Sequence, residues 1–398
     1  MTIAKDDPFF SIPSPPDDWN ACIGRQGFDE NYIDGYLEAA LHLAQNVITN
    51  KLYGERDTLV LPILFTTRHA VELALKYLID RLRAAKVFKA QHRPDHDILS
   101  HWKLLCDQEL GDEFLRLGIT KLEPYIVSLS NIDEDGQSLR YARLRTGERS
   151  MEDRSLANIM VIKNSILSLK ELLEKLLYRV RVFVDERKTG TFTQKCSRQD
   201  LAKIAELLPE RSKWGFPEFA DAKDAIKKRF NLGNSAFCKA LNKIQEVREL
   251  KSRIGMNSEL QYLSDDHVLL IIQQWRKANP PRAIDPDDLG MDYFNRDFVK
   301  MRKSIDTQNK LVSSLEAELS CEEVADLDTI FYVGRDSLFC EGYEDLLERT
   351  LKKHSREEDQ AQPLRHVITK SSFGTEFANG IERLGRPDLA NSARKILA

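Results

Sequence analysis

Between Ser155 and Glu186 apolar residues recur with a regularity that leaves few folds open. Ile159, Ile162, Ile166, Leu169, Leu173, Leu176, Val180 and Phe183 alternate steps of three and four, with no Gly or Pro among them. A seam of about three and a half heptads predicts one long helix with a continuous apolar stripe. That stripe needs a partner. Ile33, Leu37, Leu41, Ala44 and Val47 form one stripe upstream, within residues 32–47 and with Asp29 as a cap. Leu64, Val71, Leu75, Leu78 and Leu82 form another, with Pro62 expected in its first helical turn. Mutual burial of three such faces predicts an antiparallel bundle in preference to an isolated coiled coil.

The remainder also reads as helical. Gly and Pro number only 18 and 14 in 398 residues, and no run of alternating strand pattern is present. This composition disfavours a turn-rich β architecture, and the fold class expected is all-α. Polar residues 187–197 mark a boundary, after which Ser197 and Asp200 have the spacing of a capping box. Helices are expected near 218–230, 235–253 and 264–278, and a linker runs from Asn279 through Asp288. Further helices are expected near 295–319, 321–333, 340–354 and 373–397, with a loop at 355–362. The domains read are an arm (1–28), a bundle (29–186), a basic helical domain (197–278) and an acidic helical domain (290–398).

Charge is unevenly spread. The net −4 divides into −3 over residues 1–190, +6 over 191–282 and −7 over 283–398. The basic middle could face phosphates or dock on the acidic end of its own chain. With 42% hydrophobic and 31% charged residues, wholesale disorder is excluded. No window approaches about 18 uninterrupted apolar residues, and the start lacks the regions of a signal peptide, so a cytoplasmic protein without a membrane partner is expected. Cys22, Cys106, Cys196, Cys238, Cys321 and Cys340 lack the CxxC spacing of a zinc ribbon or redox dithiol, and buried free thiols are expected. There is no P-loop, G-x-G-x-x-G, G-x-S-x-G or H-E-x-x-H, and Asp285–Asp288 lacks calcium-loop spacing. Neither metal nor cofactor is expected.

Three segments could carry chemistry. Arg68, Glu72 and Lys76 lie four apart along one helix line, where each exposed ion pair contributes about 0.2–0.5 kcal/mol. By spacing alone they suit a structural ladder. His96-Asp97-Ile98-Leu99 opens a helix after Pro94, with Asp97 suited to the first turn and His96 at the bundle end. Ser138-Leu139-Arg140-Tyr141-Ala142-Arg143-Leu144-Arg145 puts Arg140, Arg143, Arg145 and Tyr141 together before the long helix. Guanidinium forks suit phosphate and a tyrosine ring suits a base, although Asp133, Glu134 and Asp135 are alternative partners for the arginines.

In this order, R-H-x-x-E-L-x-L-K-x-L, then H-D-I-L-x-x-W, then an R-Y turn before a long helix, the chain resembles the HEPN superfamily of small helical bundles over about residues 29–186. The resemblance implies a homodimer and an RNA or nucleotide ligand. It also implies metal-independent endoribonuclease activity in toxin–antitoxin or antiphage defence, with a partner protein from the same operon. The ribonuclease members carry Arg-x(4–6)-His late in the domain. This bundle has none; the match in the chain is Arg349 with His354, near its acidic end. Catalysis would therefore use His96 with Arg68 or Arg140, the imidazole moving protons near neutral pH and the arginine steadying the phosphorane.

A second candidate lies at residues 225–241, where a helix, a Gly-containing turn and a helix capped at Ser235 suit a helix-turn-helix. Lys228, Lys239 and Lys243 could meet DNA phosphates, but the second helix lacks the Asn, Gln or Arg cluster of a base reader. Two functions follow. The leading one is an RNA- or nucleotide-directed defence component, with Arg68, Glu72, Lys76, His96, Arg140 and Arg143 lining its site. The rival is a non-enzymatic dimeric scaffold whose middle domain contacts DNA or protein.

Overall fold

The computed structural model describes residues 8–10, 18–22, 27–87, 95–143, 146–151, 156–280, 298–359 and 361–398. It divides into two units, Met1–Val184 and Asp185–Ala398, each with its own hydrophobic core. Among the described residues every regular element is helical. Strand-like pairing is limited there to a bridge between Arg143 and Arg149.

The first unit holds α1 (Asp29–Thr49), α2 (Arg56–Ala84), α3 (Ile98–Cys106), α4 (Glu113–Lys121), α5 (Glu123–Ile132) and all but the last four residues of α6 (Ile159–Lys188). The three stripes meet, except that Ile63 and not Leu64 is buried in this core and Leu41 is only partly covered. Ile33, Leu37 and Ala44 of α1, Val71, Leu75, Leu78 and Leu82 of α2, and Ile166 to Phe183 of α6 share one core. Asp29 is not the cap of α1 but its first residue, after an extended Phe28 that offers no side-chain bond. Pro62 lies inside α2, because the helix begins at Arg56, a full turn and more earlier than the apolar stripe suggests. Its missing N–H takes one bond from the ladder, and the Thr66 hydroxyl donates back to the Pro62 carbonyl at 2.8 Å. By length and composition α2 could cross a membrane. Here it packs against α1, α3 and α5 and buries Arg68 and Glu72, the arrangement of a core helix.

One polar and one apolar contact anchor α6. Arg179 Nη2 donates to Asp112 Oδ2 at 2.6 Å with both groups buried, and Asp112 also caps α4 by accepting from the Leu115 amide. Gly118 of α4 lets the Leu176 side chain approach so closely that a Cβ there would stand 2.5 Å from Leu176 Cδ2.

The second unit contains α7 (Arg198–Leu207), α8 (Pro217–Phe230), α9 (Asn234–Glu246), α10 (Arg248–Ser252), α11 (Asp265–Ala278), α12 (Phe298–Glu318), α13 (Cys321–Arg335), α14 (Tyr343–His354), α15 (Ala361–Ile368), α16 (Phe373–Arg383) and α17 (Pro387–Leu397). The expected separation into a basic and an acidic domain does not hold. Buried residues from Cys196 to Trp275 and from Leu311 to Ala393 form one cluster. Helix stripes on both segments are too apolar to leave exposed, and each covers the other. Charge assists: Arg198 of the basic segment pairs with Glu341 of the acidic one at 2.9 Å, and Arg248 with Glu344 at 2.8 Å. Ser197 and Asp200 do form the capping box of α7. Two long helices expected from periodicity are each broken, at extended Val247 and at Gly385–Pro387, and α15 begins within the expected loop. The bonded N-cap role expected of Ser235 is absent, because α9 starts at Asn234 after Gly233.

Candidate functional site

Heptad geometry brings Arg68, His69, Glu72 and Lys76 to one side of α2, and the segments before α3 and after α5 close over them. Arg68 is 2% exposed. Its Nε donates to the Asp133 carbonyl at 2.7 Å, its Nη1 to Glu72 Oε2 at 3.2 Å, and its Nη2 to the carbonyls of His96 at 2.6 Å and Glu134 at 3.0 Å. Four of the five N–H groups of a guanidinium are thus engaged inside the protein. This arginine ties two loops to α2 and has no face for a phosphate.

Asp133 completes the tie. Its buried carboxylate accepts from the amides of Ser138 at 2.9 Å and Leu139 at 3.4 Å, shaping the turn after α5. It pins the backbone and, among the described residues, forms no ion pair with Arg140 or Arg143. Gly136 sits inside that turn at φ +77°, where a Cβ would stand 3.3 Å from Arg68 Nη1 and 3.6 Å from Arg140 Nη2. The turn therefore needs glycine both for its backbone angle and for the space between two guanidinium groups.

Glu72 is the hub. Its buried Oε1 accepts from Lys76 Nζ at 2.7 Å and lies 2.9 Å from His96 Nδ1. Burial works against this carboxylate, but the hydrogen bonds from Lys76 and His96 outweigh it and hold its pKa below the ordinary 4.5. The His96 side chain is 58% exposed. Its Nδ1–H is oriented by Glu72, which leaves Nε2 as the nitrogen available to a ligand.

Arg140 is exposed, with Nε donating to the Gly136 carbonyl and Cζ 5.7 Å from the Phe65 ring centre. His69, quoted in the sequence motif but not assigned a role, joins this neighbourhood. It stacks on Phe65 at 6.0 Å and meets Tyr36 edge-on at 4.6 Å. Burial holds its pKa below the ordinary 6.5; Glu72 opposes that shift, and Lys76, His96 and Arg140 reinforce it. The i,i+3 relation of His69 to Glu72 was the signal available in sequence.

The other candidates stand apart from this hub. Tyr141 is 54% exposed beneath the Arg140 guanidinium. Arg143 donates to the Gly147 carbonyl at 2.9 Å, and Arg145 lies outside the described residues. Lys228, Lys239 and Lys243 belong to the second unit, the first two exposed and Lys243 paired with Glu246 at 2.7 Å. His354, of the Arg-x(4–6)-His match, turns inward and contacts Asp328 Oδ2 at 3.0 Å, whereas Arg349 is exposed.

Of the six cysteines, Cys196 and Cys340 are buried and the other four are exposed, against the expectation of buried thiols. Among the described residues no group of three or more His, Cys, Asp or Glu side chains could hold a metal ion. No family model, curated protein or solved structure matches the chain.

Proposed function

We propose that residues 29–186 form a HEPN-like bundle that binds RNA or a nucleotide at His96, Lys76 and Arg140 and cleaves RNA by proton transfer through His96. One observation carries the reading. A solvent-facing imidazole has its inner nitrogen held by a buried, ionised Glu72, beside Lys76 and with Arg140 near the same α2 face. A carboxylate behind an imidazole fixes tautomer and orientation, and nearby cations offset charge that develops on a phosphate. Arg68 acts here by positioning, since its own donors are occupied.

The test is incubation of the purified chain with total RNA and tRNA in EDTA. Cleavage should fall by about 10²–10⁴-fold in His96→Ala, the usual weight of a general acid or base, with folding unchanged. Intact RNA together with absent RNA and nucleotide binding would defeat the proposal.

A second reading is favoured by the saturation of Arg68 and by the absence of Arg-x(4–6)-His from the bundle. In it the chain is a non-enzymatic binding or scaffold protein, and Lys228 and Lys239, exposed on α8 and α9, contact nucleic acid. Steeply salt-dependent DNA binding that weakens on replacing both lysines would support it.

A further inference from the structure

The seam of α6 is buried from Ile166 to Phe183, but its first two positions, Ile159 and Ile162, are only partly covered. They line a cavity of about 990 Å³ between the C-terminal end of α1, the N-terminal half of α2, α5 and the start of α6. Its wall is largely aliphatic, built from residues such as Val47, Leu52, Leu61, Leu64, Ile132 and Ile162. Ser128 and Ser165 stand on that wall, where larger side chains would close the space.

Charged groups on the lining are Lys51, Arg56 and Asp57. Arg56 is 3.4 Å from Asp57 and lies over the Tyr53 ring. Lys51 is exposed and has no carboxylate partner among the described residues, so the described part of the lining carries a net positive charge. The volume fits a small molecule, whose sites run to about 300–1,000 Å³.

We propose that this cavity binds a small amphiphile, its apolar body against the aliphatic wall and its anionic head at Lys51. Removal of the wall from water supplies the drive, and the lysine selects the head. The site is separate from the His96 hub and does not depend on the function proposed for it.

Calorimetric titration of the full chain with dodecanoate, dodecan-1-ol and dodecylammonium tests this. Dodecanoate should bind saturably at one site, and dodecylammonium should bind about fivefold more weakly or worse, the weight of one partly exposed charge pair. Lys51→Glu should weaken dodecanoate by a similar factor and leave dodecan-1-ol unchanged. Ser165→Trp and Ser128→Trp, each filling the cavity, should abolish binding of both in a chain whose helical circular dichroism is unchanged. Absence of saturable dodecanoate binding, or binding unaltered in both Trp variants, overturns the site. Equal binding of all three heads overturns its assignment to an anion. A wild-type dimer that Ser165→Trp dissociates, seen by light scattering, would make the cavity an interface between copies and overturn the proposal.

Discussion

Arg68 shows how one side chain can read as functional in sequence and be structural in space. Removing it would leave Glu72 with one cationic partner fewer and three loop carbonyls without their donor. Arg68→Ala should therefore cost about 3–5 kcal/mol, read as a lower midpoint in urea unfolding. His96→Ala removes one of the two hydrogen bonds to Glu72 Oε1 from an exposed position and should cost about 1–2 kcal/mol, less than Arg68→Ala. Glu72 links this site to pH. Its folded pKa lies below the ordinary 4.5, so the unfolded chain takes the proton first on acidification. The stability that Glu72 contributes is present above pH 4.5 and is lost as pH falls through the folded value. Urea midpoints measured from pH 7 to pH 3 should fall more steeply for the wild type than for Glu72→Gln. The i,i+4 ladder was legible in sequence, but its burial was not, because spacing gives a line on a helix and not what covers it.

Elements in this chain start and stop where single residues allow it. Ser197→Ala removes the capping-box acceptor for the Asp200 amide, and about 1 kcal/mol should be lost from the thermal unfolding free energy. The crossing of α13 and α16 is more demanding. A Cβ on Gly334 would stand 1.9 Å from the Glu376 carbonyl oxygen, and one on Gly380 2.0 Å from that of Ile330. Neither backbone can move aside cheaply. Gly334→Ala or Gly380→Ala should cost about 3 kcal/mol or more by the same assay, at the upper end for overpacking. Nothing in the periodicity of α13 or α16 marks these glycines as contact points. The break between α16 and α17 was missed in the helix expected over 373–397, although Gly385, which takes φ +80°, and Pro387, which opens the next helix, were its signal.

Across the whole molecule, charge and thiols report how the chain is partitioned. The basic and acidic stretches of the second unit share one core and exchange ion pairs, so part of its charge contrast is internal. Thiol labelling should divide the cysteines by burial. Cys22, Cys238 and Cys321 are exposed and should react first with a disulfide reagent. Cys106 should follow more slowly, because partial burial, with Asp107 and Glu123 beside it, raises its pKa. Burial and the neighbouring Glu341 push the Cys340 thiol up to about 12, and Cys196 is fully buried. Those two should react only on unfolding. Rapid labelling of all six in the native state would contradict the core described for the second unit.

Apolar periodicity alone determined the all-helical class and the stripes of α1, α2 and α6, because a helical face must be buried and its spacing is local. The spacing of polar residues exposed the capping box and the grouping of Arg68, Glu72 and Lys76 on one line. Only the tertiary structure decided that Arg68 is enclosed, that His69 and Asp133 belong beside Glu72, and that the Nδ1 of an exposed His96 meets Glu72. It likewise decided that two stretches of opposite charge share a core. These outcomes depend on which residues distant in the chain come within a few ångströms of one another, and no local pattern of spacing encodes that.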